Sequence, residues 1–104
     1  MDRYTVEYLP AALDDISSIL TYISQSSQNR ITAERYIDRL FARCERIADA
    51  PFGGVARPEL GSGLRMAVFE RSVVILYFVE AQMVSITNII SGGQDYETLL
   101  RSDR

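Results

Sequence analysis

The 104-residue sequence contains no lysine, no histidine and one cysteine, Cys44. Each scarcity excludes something. Without histidine the usual general base near neutral pH is missing. So is the commonest metal ligand, and no Cys/His spacing of the zinc type exists. No metal and no cofactor is therefore expected. One cysteine excludes an internal disulfide; Cys44 falls on the apolar face of a predicted helix and reads as core. No apolar run approaches the roughly 20 residues that a membrane-spanning helix needs. The opening, Met1-Asp2-Arg3-Tyr4, is acidic and alternating, unlike a signal peptide, so a cytoplasmic location is expected. All eleven basic residues are arginine, yet the net charge is -3. That balance argues against broad attachment to nucleic acid, so no direct nucleic-acid binding is expected of the chain alone. Arginine without lysine suits bidentate contact with carboxylates at a protein interface.

What is present is enough apolar residue, 47%, for one modest core, and residues 1–104 read as a single domain. Residues 56–79 organise it. They begin as a Gly/Pro-rich loop, enter a strand carrying one outward arginine, Arg65, and turn at Glu70-Arg71-Ser72. They return as seven consecutive apolar residues, 73–79. So short a run, rich in β-branched and aromatic side chains, fits a strand covered on both faces.

Before it, residues 3–8 alternate, with Tyr4, Val6 and Tyr8 on one face of a first strand. Pro10 suits the first turn of a helix over residues 11–26. Its apolar stripe is Leu13, Ile16, Leu20 and Ile23, widened by Ala12 and Ile19. Asp14 and Asp15 are expected in its first turn, favouring the helix dipole. Tyr22 lies off the stripe, as a half-buried aromatic or as a contact residue. A second helix begins near Asn29 or Thr32 and runs to Ala50. Ala33, Tyr36, Ile37, Leu40, Phe41, Cys44, Ile47 and Ala48 share one face. Its polar side separates by sign: Arg35, Arg39, Arg43 and Arg46 form one row, and Glu34, Asp38, Glu45 and Asp49 its neighbour. The arginine row reads either as a solvated face or as a seat for a partner's carboxylates. After a structured loop over 52–63 come strands at 64–69, 73–79 and 83–90. Residues 95–100 read as a short terminal helix with an acidic start.

The predicted architecture is α+β, in the order β-α-α-β-β-β with a short C-terminal helix and the helical hairpin packed on an antiparallel sheet. It resembles the ParE/RelE superfamily of bacterial type II toxins, nearest the ParE branch. The resemblance rests on Leu13-Asp14-Asp15-Ile16 through Tyr22-Ile23, on Pro51-Phe52-Gly53 through Arg57-Pro58-Glu59-Leu60, on Gly63-Leu64-Arg65, on Val74-Ile75-Leu76-Tyr77 and on Ile89-Ile90-Ser91-Gly92-Gly93-Gln94-Asp95. It implies a toxin held inactive by a cognate ParD-like antitoxin. ParE-like members act on DNA gyrase; RelE-like members cut messenger RNA in the ribosome.

The residues separate these branches better than a fold does. RNA cleavage needs a proton acceptor, a proton donor and positive charge around the phosphate. The resemblance places Ser91 and Gln94 where the family often has His and Arg. The best constellation left is Arg65 against a phosphate, Glu59 as acceptor and Tyr96 assisting. A gyrase inhibitor needs only exposed recognition residues, so no catalytic residue is assigned and an enzyme is not the favoured reading. Target-binding candidates are Arg57, Arg65, Arg71 and Tyr96. Antitoxin-binding candidates are Arg35, Arg39, Arg43, Arg46 and Tyr22. A third expectation is a non-toxic protein that binds its antitoxin and represses their shared operon.

Overall fold

The computed structural model describes residues 3–70 and 72–91. Arg71, and the expected terminal helix with Tyr96, lie outside the described residues.

Strand β1, Thr5–Tyr8, is followed by α1, Pro10–Ser27, and α2, Arg30–Ile47. Pro10 occupies the start of α1, where its missing N–H costs nothing. Helix α1 ends where Gln28 turns left-handed (φ 55°). Asn29 starts α2 by accepting the Thr32 N–H with its side chain. Two residues thus reverse the chain and make the helical hairpin. Strands β2, Val55–Ala56, β3, Arg65–Phe69, β4, Val73–Glu80, and β5, Met83–Ile90, complete the order.

The sheet order is β1-β5-β4-β3-β2. The apolar run 73–79 is therefore interior, flanked by β5 and β3, as its composition requires. Two features differ from expectation. The sheet is mixed: β1 lies parallel to β5, while the other three pairings are antiparallel. The intervening helical hairpin supplies the long connection that a parallel neighbour needs. A fifth strand, β2, lies in the predicted loop, pairing Val55 with Met66 and Ala56 with Arg65.

The main core lies between the hairpin and one sheet face, with Ile16, Leu40, Cys44, Ile75, Tyr77 and Ile86 buried in it. A smaller cluster, Leu60, Leu76 and Ile90, lies on the other face under the 57–64 loop. Leu13 is half exposed at 49% rather than core; the buried stripe of α1 is Ala12, Ile16 and Ile19. Because α1 begins at Pro10, Asp14 and Asp15 fall in its second turn rather than its first. Helix α2 ends at Ile47, three residues short of expectation, and residues 48–50 form a turn. No helix among the described residues is long and apolar enough to cross a membrane.

Candidate functional site

The sign-separated rows of α2 point to opposite edges of the sheet. On one side Tyr8 donates its hydroxyl to Glu45 (2.9 Å), and Arg3 bonds Asp49 and the Glu45 carbonyl. These contacts tie β1 to the acidic row, and burial with the Glu45 bond pushes the Tyr8 hydroxyl far above its ordinary range. On the other side Arg39 forks onto Glu70 (2.8 and 3.4 Å), and Arg43 Nε donates to the Val68 carbonyl of β3 (3.1 Å). The hydrogen bond from Arg39 holds the Glu70 carboxyl below its usual range. Arg35 and Arg46 are exposed and form no ion pair with a described residue. Arg39, Arg43 and Arg46 border a groove of about 350 Å³ with Val68 and Glu70. It runs on into a cleft of about 360 Å³ that reaches Val55 and Tyr77.

A second cluster forms at the loop after α2. Arg65 does not point outward. Its guanidinium donates to the Phe52 and Gly54 carbonyls (3.1 and 2.8 Å) and lies 5.2 Å from the centre of the Phe52 ring. From the sheet below, the Tyr77 hydroxyl donates to the Pro51 carbonyl (2.9 Å) and accepts the Gly54 N–H (3.1 Å). A side chain at Gly54 would collide with that hydroxyl, which is why glycine is needed there. Tyr4 meets Phe52 edge-on. Phe52 is thus held from two sides while 58% exposed. Arg57 pairs with Glu59, and its guanidinium also reaches the Met66 sulfur (3.4 Å).

A third feature is a groove of about 690 Å³ between the hairpin and the sheet, lined by Asp15, Ile19, Tyr22, Tyr36, Val73 and Ile89 among others. Tyr22 is more exposed than expected, at 70%. Asp15 lies at its wall and accepts the Ile89 N–H (2.9 Å). Burial raises its carboxyl above the usual aspartate range, against the opposing effect of its hydrogen bonds.

The predicted residues therefore divide. Arg39, Arg43 and Arg46 come together, Arg35 continues their row, and Tyr22 belongs to a separate groove. Arg57 and Arg65 both serve the 51–66 region internally, and Arg71 and Tyr96 lie outside the described residues. Sequence reasoning missed Phe52. Its signal was a large aromatic between Pro51 and Gly53, in a loop with no other place to bury it.

Solved structures share this architecture, among them the two described next. A chain of the chromosomal ParDE toxin–antitoxin system from P. aeruginosa superposes with a TM-score of 0.73 at 16% identity, covering 86% of this chain and 96% of that one. A chain of the RelBE2 toxin–antitoxin complex from Mycobacterium tuberculosis gives 0.67 at 17%, covering 90% and 97%. At such identity the likeness is one of fold. No curated protein is similar to this chain at a significant level. The family model for the ParE toxin of the type II toxin–antitoxin system parDE matches residues 6–96, nearly the whole domain, and the chain belongs to that family of toxins.

Proposed function

We propose that this ParE-family toxin arrests growth by gripping DNA gyrase directly, without chemistry of its own, and that a cognate ParD-like antitoxin neutralises it in the cytoplasm. The observation that carries the reading is the engagement of Arg65. A ribonuclease would need this arginine facing a phosphate; here it bonds two loop carbonyls and stacks on Phe52. Glu59, the carboxylate that such a reaction would use as proton acceptor, pairs with Arg57. Both side chains support the loop that presents Phe52, and a rigid exposed aromatic is a common interface anchor. Arg71 and Tyr96 are further proposed target contacts. The antitoxin's carboxy-terminal segment folds onto the helical hairpin, with apolar anchors in the groove beside Tyr22 and carboxylates on the row Arg35, Arg39, Arg43 and Arg46.

The test is a supercoiling assay with purified chain and gyrase, run beside a ribosome-dependent RNA cleavage assay. The expected result is inhibition of supercoiling with intact RNA, and a loss of inhibitory potency of at least about tenfold for Phe52→Ala, the scale of an interface anchor. Messenger RNA cut at defined codons, with cleavage abolished by Arg65→Gln, would establish the RelE-like ribonuclease instead. Neither activity, together with normal growth on expression, would leave an antitoxin-binding co-repressor.

A further inference from the structure

Arg65 and Tyr77 stand directly opposite each other in the pairing of β3 with β4. Directly opposed side chains share one face of a sheet, here the face that carries the main core. Between them they engage four backbone groups of the turn after α2. The Tyr77 hydroxyl donates to the Pro51 carbonyl and accepts the Gly54 N–H; the Arg65 guanidinium donates to the Phe52 and Gly54 carbonyls. The Gly53 N–H closes the turn on the Ala50 carbonyl (3.0 Å). The backbone is therefore fixed on both sides of Phe52, whose ring stays exposed. The sheet is irregular at the same place. Leu76 lies opposite Asn88 and Tyr77 opposite Ile86, so Thr87 is an extra residue, and its hydroxyl donates to the Leu76 carbonyl (3.2 Å). Such a bulge changes the local twist and re-aims the side chains beside it.

We propose that Tyr77 is a positioning residue for target recognition: with Arg65 it forms a cradle under residues 51–54 that sets Phe52 in its binding position before the target arrives. Tyr77 is 1% exposed, so it touches no partner itself. A phenyl ring would fill the same core volume; only the hydroxyl reaches the turn. Its contribution is to order the turn in advance. An anchor on a loose turn must be immobilised on contact, and that ordering subtracts from affinity. Gly54 belongs to the same device, because a Cβ there would overlap the Tyr77 hydroxyl and crowd the Met66 carbonyl.

This inference rests on the gyrase contact through Phe52 proposed above. The test is a double-substitution cycle read by inhibition of supercoiling. Tyr77→Phe keeps the ring and removes the hydroxyl. It should lower inhibitory potency at least about fivefold in the parent chain, and less than about twofold once Phe52 is alanine. A hydroxyl that serves only the fold would lower potency by the same factor in both backgrounds, and that result overturns the proposal. Full potency of Tyr77→Phe, beside a Phe52→Ala variant that has lost it, overturns the cradle and leaves the gyrase contact intact. A parent chain without effect on supercoiling overturns both. Gly54→Ala disturbs the same contact from the side of the turn and should show the same dependence on Phe52, so a poorly folding Tyr77→Phe does not decide the outcome. Amide exchange in the parent chain needs no variant. The Gly54 N–H should exchange at least about tenfold more slowly than in an unstructured peptide of the same sequence; free exchange there overturns the cradle whatever gyrase does.

Discussion

Asp15 joins α1 to the sheet through one carboxylate. β1 ends at Tyr8, so the upper part of β5 has no strand neighbour on that side, and Asp15 accepts the Ile89 N–H in its place. Replacing Asp15 with alanine removes the acceptor from a partly buried donor and is expected to cost about 1–3 kcal/mol in denaturant unfolding. Asparagine keeps an acceptor and removes the desolvated charge, so Asp15→Asn should lie within about 1 kcal/mol of the parent. Its pH dependence has a definite sign. Burial raises the folded carboxyl above its unfolded value, so the native state holds the extra proton between the two. Stability from this group is present below the unfolded value and is lost as pH rises through the folded one. Asp15→Asn should flatten that slope over the range just above the ordinary aspartate value; an unchanged slope would remove Asp15 as its source. In the sequence Asp15 reads as a first-turn acid favouring the helix dipole, because its partner is 74 residues away. Cys44 was legible as core: it is fully buried, and burial pushes its thiol up to about 12.

At the scale of elements, periodicity located both helices and the four longer strands. Helix α2 was read nearly whole because its eight apolar positions repeat over five turns. In α1 the apolar stripe is broad, and packing against α2 and β5 buried its Ala12, Ile16 and Ile19 side most deeply. Leu13 was left half outside. Truncating Leu40, fully buried in α2, should cost about 2–5 kcal/mol by chemical denaturation, whereas Leu13→Ala should stay within about 1 kcal/mol. Equal costs at the two sites would contradict this orientation of α1. Strand β2 had no local signal. Two residues carry no period, and Val55–Ala56 becomes a strand only because β3 lies beside it.

Over the whole molecule, charge is segregated although the net value is -3. Helix α2 directs its acidic row to the β1 edge and its basic row to the β3 edge. An acidic protein thereby keeps one basic face, the one proposed above to meet the antitoxin's carboxylates. The double change Arg39→Glu and Arg43→Glu should leave the fold intact, because exposed pairs contribute at most about 1 kcal/mol. It should weaken antitoxin binding at least about tenfold at low salt, with a smaller difference at high salt as screening grows. Unchanged affinity in calorimetry would assign the row to solvent alone.

From the sequence by itself followed the helical hairpin, the buried central strand, the rows of opposite sign on α2 and the resemblance that the family match bears out. These depend on spacing along one stretch of chain, where side-chain period dictates which face is apolar. Only the tertiary structure decided that β1 lies parallel on the β5 edge, that Arg65 turns in to hold Phe52, and that Arg43 covers an open strand edge. Each of those depends on which distant groups meet. An arginine has the same charge whether it faces water, a carboxylate or a carbonyl, so its partner is settled by packing and not by its place in the chain.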